Sequence, residues 1–309
     1  MFRKAERKQS KLRLCLTGPS GAGKTYSALQ IAKGLQSNPN EKIAMIDTEK
    51  GSGELYSDLV DFDVAQLQPP FLIQKYIDMI TNAGKAGYQV LIIDSLSHGW
   101  IGEGGLLDQH QKVTQSRRDR NSFAAWGEIT PMQNRLVDAI LSSPMHVIVT
   151  LRTKTAWEVV ENDRGKKQPI KVGLAPQQRE GLDYEFSVVF DLSPEKHIAI
   201  ASKDRTGLFD QEQFTPSPAT GKKFLKWLDS GIDQSEASEK ILANLQSEIG
   251  SADNLSSLKM VCQPNEQDIE NQLTNEQIET LQSCWLSKKK TFDGQINNHH
   301  VSDHAHPTH

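Results

Sequence analysis

Four short runs rich in isoleucine, valine and leucine organise the first half of the chain: LRLCLTG (12–18), KIAMID (42–47), QVLIID (89–94) and HVIVTL (146–151). Each reads as a strand buried on both faces, and helical segments separate them. Residues 24–36 carry Ala28, Ile31, Ala32 and Leu35 at helical spacing, and residues 71–83 put Leu72, Tyr76, Ile77 and Ile80 on one stripe. In TPMQNRLVDAILSSP, Thr130 is placed as an N-cap, Pro131 as the first helical residue and Pro144 as a stop. The alternation predicts an α/β fold with a mostly parallel sheet covered on both faces.

Beyond residue 151 the pattern changes. TAWEVVENDRGKKQPIKV (155–172) offers two extended arms around a polar turn, and YEFSVVFDL and HIAIAS read as two more strands added antiparallel at the sheet edge. From about 231 the chain is rich in Ser, Glu, Gln and Asn, with helical stretches at 236–248 and 274–289. A single core stops growing near about 250–300 residues. The 309 residues therefore divide into a core (1–230), a small helical segment (231–290) and a tail expected to be disordered (291–309).

No apolar run has the length of a membrane span, and MFRKAERKQSKLRL lacks the apolar segment of a signal peptide, so a cytoplasmic protein without a membrane partner is expected. The three cysteines show no CxxC spacing, which argues against a disulfide framework. A net charge of -4 hides two basic segments. In 1–13, Arg3, Lys4, Arg7, Lys8, Lys11 and Arg13 face Glu6 alone; in 152–179, Arg152, Lys154, Arg164, Lys166, Lys167, Lys171 and Arg179 outnumber the acids. Such segments suit a polyanion, or are simply solvated surface.

One of the apolar runs leads directly into GPSGAGKT: Gly18, Pro19, Ser20, Gly21, Ala22, Gly23, Lys24 and Thr25. Between a strand and a helix this is a phosphate-binding loop, whose backbone N–H groups converge on phosphate oxygens. Lys24 would contact the β and γ phosphates of ATP, and Thr25 would ligate Mg²⁺ together with Asp94, the last residue of the third run. In a parallel sheet the carboxyl ends of the strands share one rim, so Asp47, Glu49 and Asp94 should gather there. Glu49 is a candidate for activating the attacking water, or else it only caps a strand end.

GPSGAGKT, MIDTEKGSGELY, LIIDS, VIVTLRTK and ASKDRTGLF, in this order, resemble the RecA-type recombination ATPases over roughly residues 10–215, and most closely the short phage and prophage ATPases associated with single-strand annealing. The resemblance implies a RecA-like P-loop NTPase core, with Glu49 activating water and Tyr56 packing on adenine. Thr150 stands where RecA has a longer glutamine that senses the γ phosphate. Lys203 and Arg205 match cations that reach a neighbouring subunit's nucleotide, which implies a ring or filament with ATP at the subunit interface. The DNA loops would be 98–122, with Arg117, Arg118 and Arg120, and 152–179. There Arg164, Lys166, Lys167 and Lys171 would meet phosphates of single-stranded DNA, and Trp157 would stack on a base or merely pack. The implied activity is a DNA-dependent ATPase, with a single-strand-binding protein as a further candidate partner. The alternatives are an ATPase that remodels or loads a protein partner, and a small-molecule kinase.

Overall fold

The computed structural model describes residues 7–161, 167–231, 233–262 and 273–301. Strands β1 (Arg13–Gly18), β2 (Ile43–Asp47), β3 (Asp63–Gln66), β4 (Val90–Asp94), β5 (His146–Glu161), β7 (Val188–Leu192), β8 (Ala199–Asp204) and β9 (Gln213–Phe214) form one sheet in the order β3-β2-β4-β5-β1-β7-β8-β9, and β6 (Lys167–Pro176) pairs with β5 alone. Pairing from β3 through to β7 is parallel. Every position of β1, β2 and β4 is buried. Helices on both faces are the cause, and neighbouring residues along each strand face opposite cores.

Leu14, Leu16, Ile43, Met45, Ile92 and Ile148 pack with α1 (Lys24–Leu35) and α6 (Pro218–Asp229) on one face. Cys15, Ile46, Ile93, Val147 and Val149 pack with α2 (Ile73–Lys85) and α5 (Ser122–Leu141) on the other. Where α1 and α6 cross, a Cβ on Gly34 would lie 2.0 Å from the Pro218 carbonyl oxygen, and one on Gly221 would lie 2.1 Å from that of Ile31. Backbone rather than a movable side chain fills that space. Gly34→Ala is therefore expected to lower stability by about 2–3 kcal/mol, read as a shift of the urea midpoint.

The structure corrects the sequence reading at several elements. The α5 helix starts at Ser122, capped by the Asn121 side chain accepting from the Ala124 N–H, and Pro131 lies inside it. Thr130 is no N-cap. A proline here frees the carbonyl of Gly127, four residues earlier, and both residues are exposed, so water takes the missing partner's place. Of the two later strands only β8 is antiparallel; β7 runs parallel to β1, because the chain re-enters beside the start of β1, where the Ser187 N–H donates to the Arg13 carbonyl. Strand β3 has no apolar pattern, since it is an exposed edge that completes the backbone pairing of β2.

Residues 98–122 are largely helical rather than a loop: α3 (Ser97–Ile101), α4 (Leu106–Ser116) and the start of α5 occupy them. Arg13, counted with the basic start of the chain, is buried. Its guanidinium donates to the carbonyls of Leu12, Leu141, Ser143 and Met145, closing the end of α5 and the turn into β5. Burial pulls its pKa down to about 10, so it stays charged at neutral pH but is not available to a polyanion.

His146 opens β5 and is also buried, its Nδ1 accepting the Leu12 N–H at 3.0 Å. Burial, then the nearby Lys11 and Arg13 charges, push its pKa down from 6.5 to about 3. Between those values the unfolded chain binds more protons than the folded one. Stability is thus full above pH about 6.5 and drains away as pH falls towards 3, by about 3 kcal/mol at pH 4. His146→Asn keeps an acceptor in the same place without the titration. Urea unfolding at pH 7 and pH 4 should show a clearly smaller loss in that variant.

By contact the chain divides into Ser10–Ser230, described above, and a second unit of Gly231–His309 with Met1–Gln9. The second unit holds α7 (Gln234–Ser251), α8 (Leu255–Cys262) and α9 (Asn275–Val301) around Leu245, Ile249, Leu258 and Leu281. The helix α9 runs past residue 290, into the stretch expected to be tail. No proline interrupts it before Pro307. Residues 302–309 lie outside the described residues. Among the described residues no helix is long and apolar enough to cross a membrane.

Candidate nucleotide site

The loop from Gly18 to Gly23 joins β1 to α1, with Gly21 and Gly23 at φ +78 and +80, a left-handed conformation that turns successive N–H groups inward. Gly23 is the N-cap of α1 and supplies no side chain to its first turn, leaving those N–H groups for an anion. A Cβ at Gly23 would also sit 3.1 Å from the His197 ring nitrogen Nδ1. Glycine therefore serves both the turn and the close approach.

Beside the loop lies a cleft of about 620 Å³, lined by Lys24, Thr25, Glu49, Tyr56, Asp94 and Arg152 among others. Lys24 folds back to donate from Nζ to the Gly18 and Pro19 carbonyls at 2.9 and 2.8 Å. Burial lowers its pKa, while Asp94 and Glu49 favour its charged form and Arg152 opposes it. Asp94 is buried and accepts from the Thr25 and Thr150 hydroxyls, one on each oxygen, at 2.5 Å each. Burial raises its pKa, the two hydroxyls pull it back, and Glu49 and Asp47 add to the rise. A carboxylate whose side-chain donors among the described residues are two hydroxyls, facing the phosphate loop, fits a hard oxygen-seeking cation such as Mg²⁺.

Asp47 stands beside Asp94 in the sheet register. It is buried, and its carboxylate accepts the N–H groups of Glu49 and Gly51 at 2.5 and 2.8 Å. The first carboxylate of MIDTEKG thus fastens the turn, which leaves the second, Glu49, at the cleft. Thr48 ties the same strand end to the next: it accepts the Ser95 N–H at 2.8 Å and meets His98 Nδ1 at 2.6 Å, with the His98 ring stacked on Phe71 at 5.0 Å. Glu49 Oε1 accepts from Arg152 Nε at 2.9 Å. Tyr56 ends a short 3-10 helix (Ser52–Tyr56) and meets Tyr26 edge to face at 6.0 Å, both rings lining the cleft.

Five lining residues, Tyr26, Arg152, Thr153, Gln177 and His197, carried no recognisable signal in the sequence as part of this site. Gln177 and His197 come from turns, and Arg152 was one basic residue among several. A larger cavity of about 920 Å³ lies next to it, lined by Trp100, Lys154, Leu174, Arg179 and Asp191 among others. It lacks Gly21, Gly23, Lys24 and Thr25 of the phosphate loop and the Asp94 carboxylate beside them, so size alone does not mark the site.

Lys203 and Arg205 do not line the cleft. Lys203 donates to the Asp183 and Tyr184 carbonyls, and Arg205 to that of Tyr184 at 3.4 Å. Because β8 runs antiparallel, it carries both residues away from the nucleotide rim: Asp204 pairs with Val188 at the start of β7, and the Arg205 N–H donates to Ser187. Arg117 is engaged with Asp119 and Glu128 at 3.3 Å each, whereas Arg118 and Arg120 are exposed. Trp157 and Lys171 stand opposite each other in the β5–β6 register, and Lys167 opposite Glu161. For these three the backbone alone is described, and Arg164 and Lys166 lie outside the described residues.

A family model described as an AAA domain matches residues 10–219. The chain belongs to the AAA-domain family. The match spans nearly all of the Ser10–Ser230 unit and so contains the whole cleft. Membership makes this AAA domain a P-loop ATPase, a family that binds nucleotide, usually with Mg²⁺. No curated protein matches the chain.

Proposed function

We propose that this AAA domain is a RecA-like, DNA-dependent ATPase that binds single-stranded DNA and helps strands to pair in phage-type recombination. The observation that carries the reading is the continuity of β5. Its first half brings Thr150 and Arg152 to the nucleotide cleft, and its second half forms, with β6, a two-stranded arm in the basic segment 152–179. One strand thus joins the nucleotide to the candidate DNA element.

Hydrolysis would run through Glu49. Its carboxylate accepts a proton from water, the water oxygen bonds to the γ phosphorus, and the bond to the β–γ bridging oxygen breaks, giving ADP and phosphate. Lys24 and the loop N–H groups hold the phosphates, Thr25 and Asp94 would hold Mg²⁺, and Tyr56 would pack on adenine. Bound Mg²⁺ neutralises charge on the β and γ oxygens. Lys203 and Arg205 lie at the far end of β7 and β8 from their own cleft, which favours a contact with a neighbour's nucleotide in a ring or filament. A single-strand-binding protein fits as a further partner, and the cytoplasm as the compartment.

The test is ATP hydrolysis with and without a long single-stranded oligonucleotide at low and moderate salt. Stimulation that fades as salt rises is expected, because phosphate contacts release counterions. Absence of both stimulation and oligonucleotide binding would replace DNA by a protein partner docked on the β5–β6 arm.

A further inference from the structure

Arg152 occupies the one point where β5 leaves the sheet. Its pairing with β1 ends at Gly18 opposite Arg152, and its pairing with β6 begins at Thr153 opposite Pro176. The backbone there is held on both sides: the Arg152 N–H donates to the Ser97 hydroxyl at 2.9 Å, and its carbonyl accepts from the Gln177 N–H at 2.7 Å. Only the side chain is left to move. It reaches into the cleft that holds Lys24, and its single ion pair among the described residues is with Glu49, 103 positions away in sequence.

We propose that Arg152 is the residue that senses the terminal phosphate of ATP, and that Glu49 restrains it until that phosphate arrives. The proposal rests on the ATPase reading above. A γ phosphate brings more charge than one carboxylate and accepts two guanidinium N–H groups side by side, so it outcompetes Glu49 for Arg152. Transfer of the guanidinium leaves the Glu49 carboxylate free to receive a water proton. ADP ends at the β phosphate, which belongs to Lys24 and the loop, so the Glu49–Arg152 pair persists with ADP. Thr150 is too short for such a role and is already committed to Asp94. The pair itself contributes little to stability, since the two side chains retain 24% and 41% exposure, so its removal leaves the fold intact.

The test is equilibrium binding of ADP and of a non-hydrolysable ATP analogue to the full chain in a double-mutant cycle. Arg152→Gln should lose about tenfold or more in affinity for the analogue with little change for ADP, and Arg152→Lys should recover part of the loss. Glu49→Gln, by releasing the guanidinium, should bind the analogue about threefold to fivefold more tightly. That gain should vanish when Arg152→Gln is also present. An equal gain in both backgrounds would mean simple charge repulsion by Glu49, and would overturn the proposal. So would an Arg152→Gln variant whose preference for the analogue over ADP equals that of the unaltered chain. The assay involves no turnover, so the separate reading of Glu49 as the water-activating group stands or falls on the hydrolysis rate of Glu49→Gln.

Discussion

Lys24→Ala is expected to reduce ATP turnover by at least about a thousandfold while leaving the fold in place. The amine lies where the phosphate loop and the α1 N-terminus converge, close enough to Asp94 and Glu49 for both to support its charge. Without nucleotide it is parked on the Gly18 and Pro19 carbonyls, the groups it must leave to reach a phosphate. In the variant, charge developing on the β and γ oxygens would lose the one lysine that the loop places against both phosphates. The two freed carbonyls adjoin an open cleft and regain water, so the thermal midpoint should move by no more than about 3 °C. A steady-state assay together with a melting curve checks both parts. Undiminished hydrolysis would remove the phosphate-loop assignment.

Arg205→Ala should lower hydrolysis by about a hundredfold to a thousandfold with nucleotide binding largely kept, because in the proposed contact with a neighbour the cation would act on the developing charge rather than on the bound ground state. The direction of β8 is the reason to look to a neighbour. Arg205 is at the level of Ser187 and the start of β1, whereas the phosphate loop begins where β1 ends. Mixing the two inactive variants gives a decisive measurement. An Arg205→Ala subunit keeps its phosphate loop, and a Lys24→Ala neighbour keeps its Arg205, so mixed assemblies rebuild complete sites. With random mixing about a quarter of the wild-type rate should return. No recovery, or parallel loss of binding and hydrolysis in Arg205→Ala alone, would withdraw the trans role.

The parts of this protein readable from the sequence are those whose physics is local. GPSGAGKT carries its chemistry within eight consecutive residues, and the flanking strand and helix are declared by apolar runs and helical spacing. The parallel core followed for the same reason: a strand buried on both faces is apolar along its middle, and polar residues such as Arg13, Asp47 and Asp94 stand at its ends. Even so, local signals misled where two of them competed, as when Pro131 suggested a helix start although an exposed face let α5 run through it from Asn121.

Tertiary structure decided whatever depends on strand order and direction. That Arg152 belongs to the nucleotide cleft follows from β5 lying beside both β1 and β4, which brings it to Glu49 across 103 residues of sequence. That Arg13 closes α5 instead of meeting a polyanion follows from β1 starting beneath that helix's end. That Arg205 lies far from its own phosphate loop follows from β8 reversing against β7. A residue's type states which bonds it can make. Its partner is chosen by the register of the sheet, which hydrophobic burial on two faces settles only when the whole chain has folded.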